Sequence, residues 1–283
     1  MENPRLGGFS DFLCALGAPA VAGLMTNLRA CGLAPFHVAV IHGGPGAAGE
    51  MAPVARQLAR SCGVLEPLQT AGTLAGQIEE LRAVLDTHGD PPITLIGHSW
   101  GAWLGYLLSA RHPGLVRKLI LVGSGPFTER YAAAVEETRL SRLSPAQRAE
   151  FQSLAATLAD PSTEARDLAL ARLGALAALA DDYDPLPSTD EPVTVQADLF
   201  RAVWPEAAEL RRRGELLAAG RRIQCPVVAI HGDYDPHPAQ GVEEPLAAVL
   251  ADFRFILLPR CGHRPWRERH AHGAFYQLLE AEI

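Results

Sequence analysis

Apolar residues follow two rhythms along this chain. Short unbroken apolar runs bounded by glycine or proline read as buried strands. Longer stretches with apolar residues three and four apart read as helices. The first strand is expected at residues 36–41, followed by the turn His42-Gly43-Gly44-Pro45-Gly46 and a helix from about Glu50 to Arg60. Residues 63–68 read as a short strand, and 73–87 as a helix carrying Leu74, Ile78, Leu81, Val84 and Leu85 on one face. Pro91-Pro92 punctuates the chain before the strand 93–96, which leads through a sharp turn into a helix beginning at Ala102. His112-Pro113-Gly114 stops that helix, and residues 116–122 form the next strand. Strand and helix in alternation imply an α/β fold with a mostly parallel sheet flanked by helices.

The alternation breaks at residue 124. Residues 136–143, 145–158, 163–179 and 197–217 all read as helices, no convincing strand interrupts them, and Asp181-Asp182-Tyr183-Asp184-Pro185-Leu186-Pro187 separates the last two. Such an insertion fits a helical cap over a site on the sheet. An independent bundle is the other reading, but short amphipathic helices need a surface to pack on. The sheet resumes at 227–231 and 253–258, and a helix over 269–282 closes the chain. The expected division is therefore a core in two parts, 1–123 and 218–283, with the cap as 124–217. Residues 9–28 mix apolar residues with Gly17, Pro19 and Gly23, which supports only a short helix or a packing segment.

A length of 283 residues allows one large domain with an insertion. The net charge of -7 gives no basic field for nucleic acid, so that partner is not expected. No stretch approaches the roughly 18 uninterrupted apolar residues of a membrane span. The first residues lack the charged and apolar regions of a secretory signal. Five scattered cysteines, Cys14, Cys31, Cys62, Cys225 and Cys261, have no metal-ligand spacing and fit reduced thiols in the cytoplasm. Neither a metal nor an organic cofactor is implied, and Cys261 is not expected to be a nucleophile.

The chemistry is concentrated in Gly97-His98-Ser99-Trp100-Gly101. A Gly-x-Ser-x-Gly between a strand and a helix puts the serine on a strained turn with its hydroxyl exposed above the sheet. Gly97 and Gly101 let strand and helix backbones pass closely. A serine that only caps the next helix is the plainer alternative. A serine hydroxyl needs a base to take its proton, and the base needs a carboxylate to fix its tautomer. Ser99, an aspartate (Asp233 or Asp235) and His263 each lie just past a strand's C-terminal end, where ligand sites of open parallel sheets are found. The loop 42–46 lacks a phosphate-binding fingerprint and reads as a loop that presents N–H groups to a developing oxyanion.

With these motifs the chain resembles the α/β-hydrolase family over residues 36–283, and within it the proline iminopeptidases and their relatives. The resemblance implies the α/β-hydrolase fold with a helical cap between the sixth and seventh family strands. It implies Ser99 as nucleophile, His263 as general base, and the N–H groups of Gly44 and Trp100 as the oxyanion hole. Gly232 and Asp235 match the family's Gly-x-x-Asp, so it implies Asp235 as the acid in preference to Asp233. His42 is expected to brace the oxyanion loop, His98 to take no chemical role, and His231 and His237 to be packed or solvated. Trp103 and Trp266 are expected in the core or pocket wall.

The family's Asp-x-Arg-Gly segment is replaced by Leu65-Glu66-Pro67-Leu68-Gln69-Thr70, and the amino-terminal part has room for fewer strands than the family carries. Glu136, Glu137, Asp181, Asp182 and Asp184 are candidates for reading a substrate amine, though charge runs are usually solvated faces. The expected activity is serine hydrolysis of a small ester, amide or short peptide. The same triad also serves carbon–carbon hydrolysis, lyase chemistry and acyl transfer, and a binding protein that has lost turnover is the non-enzymatic alternative.

Overall fold

The computed structural model describes residues 27–160, 166–187 and 193–283. Strands β1 (Leu28–Cys31), β2 (Val38–Ile41), β4 (Val64–Pro67), β5 (Ile93–His98), β6 (Val116–Val122), β8 (Val227–Gly232) and β9 (Phe253–Leu258) form one sheet, ordered β1-β4-β2-β5-β6-β8-β9. Only β1 runs antiparallel, against β4. It supplies an edge strand that the apolar pattern does not reveal, because Leu28-Arg29-Ala30-Cys31 is interrupted by a charge and is not an unbroken apolar run. Apart from Asn27 and Leu28, the expected segment 9–28 lies outside the described residues, and Leu28 opens β1.

The inner strands read as unbroken apolar runs because both faces of the sheet are covered. Ile93 and Leu95, Leu119 and Leu121, and Val227 and Ala229 point to one face. There they meet α2 (Leu74–His88), α3 (Trp100–Arg111), α8 (Glu215–Ala219) and α9 (Gln240–Val249). Ile96, Ile120, Val122, Val228 and Ile230 point to the other face, against α1 (Ala52–Leu58) and α10 (His272–Glu282). Each large side chain buried this way contributes about 1.5–3 kcal/mol, which makes the central strands the rigid base of the molecule.

Between β6 and β8 the chain forms α4 (Ala132–Arg142), α5 (Pro145–Ala159), α6 (Arg166–Asp181) and α7 (Ala197–Arg212). Ser144 and Gln147 make a reciprocal capping box that starts α5. Leu143, Phe151, Leu176 and Ala180 form a small core of their own. Leu199, Val203 and Ala207 of α7 join the main core, and Trp204 stacks on Trp103 at 5.7 Å.

The local pattern errs in three places here. The expected helix over 197–217 is two helices, because Gly214 adopts φ 74° between α7 and α8. The helical segment also contains a strand, β7 (Thr194–Val195), paired antiparallel with β3 (Ala47–Ala48) beside the loop after β2. Two-residue strands carry no period to detect. Finally, α9 carries Pro245 inside it, which obscures a helix in the sequence.

Candidate active site

The chain goes from β2 out to β4 and then returns to β5 on the other side of β2, which makes the β2–β5 edge the switch point of the sheet. The loops after β2, β5, β8 and β9 gather at this edge. Ser99 follows β5 with φ 51° and ψ -110°, a strained conformation for a residue with a side chain. Packing holds it there. A Cβ on Gly97 would collide with the Gly101 carbonyl oxygen, and one on Gly101 with the Ile41 carbonyl oxygen. The Ser99 N–H donates to the Val122 carbonyl at 2.9 Å, and its side chain makes no cap on α3. The capping alternative therefore does not describe this serine.

Beside Ser99, Gly44 adopts φ 73° in the loop after β2. The Trp100 N–H belongs to the first turn of α3, whose amides have no intrahelical acceptor. The Trp100 indole is turned into the core, 3.3 Å from Gln77 Oε1. His42 is fully buried and its Nδ1 lies 2.8 Å from the Gly43 carbonyl oxygen, inside the loop it was expected to brace.

His263 Nδ1 donates to Asp235 Oδ2 at 2.8 Å, which leaves Nε2 as the ring's bare nitrogen in the neutral form. Both side chains are buried. Asp233 is exposed and accepts the Cys261 N–H at 3.2 Å, away from His263. Of the two aspartates the fold thus brings Asp235 to the imidazole. Burial opposes charge on both partners, yet the Asp235 carboxylate raises the His263 pKa, and His263 and its neighbours hold Asp235 well below the usual carboxylate range. Burial pushes the Cys261 thiol far up, so it offers no thiolate.

His237 and His231 are not solvated bystanders. The His237 N–H and Nδ1–H both donate to Asp235 Oδ1, at 2.9 and 2.8 Å, and its ring stacks on His263 with centroids 4.5 Å apart. His231 Nε2–H donates to the His237 carbonyl at 2.7 Å. Asp235, His237 and His263 could between them offer three ligand atoms to a metal ion. Both imidazole Nδ1 atoms are already satisfied by the carboxylate, so the arrangement fits a hydrogen-bonded relay better than a metal centre. His98, given no role from the sequence, lies 3.1 Å from both Glu50 Oε2 and the His263 carbonyl oxygen. Nothing local in the sequence marks Glu50, His98 or His237, since their partners are distant in the chain or, for His237, supplied by a bend.

Ser99, His263, His98, Gly44 and Glu50 line a cavity of about 300 Å³. Its far wall is Phe151, Leu170, Leu173, Ala177, Val195 and Phe200, with Arg139 at one side. None of the five acidic candidates for amine recognition lines it. Asp181 takes two hydrogen bonds from Arg139 (2.7 and 2.6 Å), Asp182 pairs with Arg264, and Asp184 with Arg269. Glu136 and Glu137 line a separate surface depression. Glu66, in place of the family's acidic segment, is buried against Arg29 of β1 at 2.6 Å.

The acidic stretch instead ties the inserted helices to the base loop. The Asp181 carbonyl accepts the His263 N–H at 2.9 Å. The buried Glu268 carboxylate accepts the N–H groups of Gly262, Tyr183 and Asp184 at 2.7–2.9 Å. Trp266 packs edge-on to His98, and Trp103 is in the core. Among the described residues no helix is long and apolar enough to cross a membrane.

A family model described as the alpha/beta hydrolase fold matches residues 37–265. The pimeloyl-[acyl-carrier protein] methyl ester esterase of Chromobacterium violaceum is 28% identical over 240 residues, covering 81% of this chain and 87% of that protein. The solved structure of VinJ superposes with a TM-score of 0.65 at 19% identity, over 94% of this chain and 99% of that one. The proline iminopeptidase of Mycobacterium smegmatis gives 0.58 at 18% identity, over 90% and 94%. At these identities the two structures carry the fold and no more.

Proposed function

Since the chain belongs to the alpha/beta hydrolase fold family, we propose that it is a serine hydrolase cleaving an ester or amide with a small apolar acyl group. One observation carries the reading: a serine strained at φ 51° shares a cavity with a histidine whose Nδ1 is bonded to a buried aspartate. His263 Nε2 takes the Ser99 proton as Oγ attacks the carbonyl carbon, and Asp235 stabilises the imidazolium that forms. The N–H groups of Gly44 and Trp100 receive the oxyanion, where each such donor contributes about 3–4 kcal/mol to lowering the barrier. His263 then gives its proton to the leaving group, and water, activated by the same base, releases the acid.

Residues 124–217 act as a cap over this site, and their apolar side chains select the acyl group. The cavity is small for a ligand site and mostly apolar. Its acidic neighbours are already paired, which favours an ester or simple amide over a substrate with a free amine. The methyl ester named for the Chromobacterium relative is in keeping with this. The free thiols Cys31, Cys62, Cys225 and Cys261 fit a reducing, cytoplasmic setting.

Labelling with a fluorophosphonate probe tests the mechanism. The wild type is expected to label and Ser99→Ala and His263→Ala to lose the label. A panel of acyl esters against amino-acid arylamides then reads the substrate class. A folded wild type that resists the probe and turns over none of these substrates overturns the hydrolase reading.

A further inference from the structure

We infer that His98 is held as an imidazolium by Glu50, and that this pair is a positioning device joining the oxyanion loop, the nucleophile turn and the loop of His263. Its effect on turnover rests on the serine-hydrolase reading; the proton count does not.

The count follows from donors and acceptors. His98 is buried, and its Nε2 lies 3.1 Å from the His263 carbonyl oxygen. A carbonyl only accepts, so Nε2 carries a hydrogen. Nδ1 lies 3.1 Å from Glu50 Oε2. A neutral imidazole with hydrogen on Nε2 has a bare Nδ1, and an ionised carboxylate has no hydrogen to offer. One further proton must therefore lie between them. The same Oε2 also accepts the Gly43 N–H at 2.9 Å. An oxygen that takes two donors is better suited to carry the negative charge than to hold the proton.

The surroundings place the proton on the nitrogen. Burial alone would raise the Glu50 pKa, but His98 next to it, then Arg264 and His263, hold it far below the ordinary value. His263, whose ring lies 4.7 Å from that of His98, and Arg264 face the same carboxylate, while His42 has its pKa lowered by burial and adds no positive charge. Trp266 closes the other side of the His98 ring, edge-on at 4.7 Å, and His98 is buried from water.

The pair touches all three loops on which the proposed chemistry depends. Glu50 fixes Gly43, the residue before the proposed oxyanion donor Gly44. His98 precedes Ser99 in the strained turn. The His263 carbonyl is the acceptor at the far end. A Cβ on Gly43 would strike the Glu50 carboxylate, so loop and carboxylate are in close register. An amide in place of the carboxylate can accept from Gly43 or donate to a neutral His98, but its oxygen cannot take both donors from a neutral ring. Gly43 and Gly44 then lose their anchor to the turn.

Nuclear magnetic resonance of the full chain labelled with ¹⁵N-histidine reads the proton directly, with the His98 signals identified by their loss in His98→Gln. The wild type at pH 7 is expected to show both His98 nitrogens protonated, and Glu50→Gln to show Nδ1 bare. On the preferred ester, Glu50→Gln is expected to lower kcat on the order of 10- to 100-fold with KM little changed, as misplaced donors do. A bare His98 nitrogen in the wild type overturns the inference even if the variant fails to fold. A folded Glu50→Gln with a bare Nδ1 and the wild-type kcat overturns the positioning role. A folded wild type that resists the fluorophosphonate probe and turns over none of the ester and arylamide substrates refutes the hydrolase reading and leaves the proton count to the spectrum.

Discussion

Asp235 receives hydrogen bonds from two imidazoles, His263 on one oxygen and His237 on the other, with His231 3.6 Å away. Its charge makes His263 a stronger base, so the acid limb of kcat/KM should lie above the ordinary imidazole value of about 6.5. The sign is fixed by chemistry: the base must be neutral to act, so activity rises as pH rises through the His263 pKa. Asp235→Asn removes the charge and the acceptor that fixes the tautomer. It should lower kcat by about 10⁴-fold and move the limb to lower pH, measured as a pH–rate profile on an ester. An unshifted limb would mean that Asp235 does not set the basicity of His263. His237 serves the same carboxylate without adding charge, because burial pushes its pKa down to about 4.

At the level of elements, the turn from β5 to α3 is held by close backbone approach. Gly97 faces the Gly101 carbonyl, and no side chain fits between them. Gly97→Ala should destabilise the protein by at least about 2 kcal/mol, read as a lower urea midpoint at constant slope. A midpoint within error of the wild type would show that the turn can relax. This turn was legible in the sequence because its pattern is local: an apolar strand, two glycines around a serine, and a helix. The strand pair β3–β7 was not legible, since Ala47–Ala48 and Thr194–Val195 gain their conformation only from each other across the fold. Gly214 marks the break between α7 and α8 only once its positive φ is known.

Across the whole molecule, the inserted helices are linked to one another by a buried ion pair, and to the core by the Asp182–Arg264 pair and apolar contact. Arg139 and Asp181 meet through two hydrogen bonds, and Asp181 in turn holds the His263 N–H. Arg139→Ala strands a carboxylate that is 4% exposed, and should cost about 3 kcal/mol, the lower end for breaking a buried pair. Asp181→Asn leaves an arginine side chain that is 22% exposed and can reach water, so it should cost less. Urea unfolding of the two variants checks the order; equal losses would show that the pair acts through packing alone.

The division between what was legible and what was not follows the range of the interactions. Strands covered on both faces are continuously apolar, so the chain itself declares a mostly parallel sheet and the order of its main elements. The Gly-x-Ser-x-Gly turn and the placement of Ser99, an aspartate (Asp233 or Asp235) and His263 past the ends of β5, β8 and β9 were equally open to reading, because each is a local pattern at a strand end. The preference for Asp235 came from the family resemblance, and the fold brings that residue to His263. Tertiary structure alone decided which charges are spoken for. Asp181, Asp182 and Asp184 look like a free acidic run, yet arginines distant in the chain neutralise them. His98, Glu50 and His237 look like isolated polar residues, yet folding brings them onto the loops of Ser99, Gly43 and His263. Hydrogen-bond partners of buried polar groups are set by where the backbone delivers them in space, and no local pattern of residues encodes that.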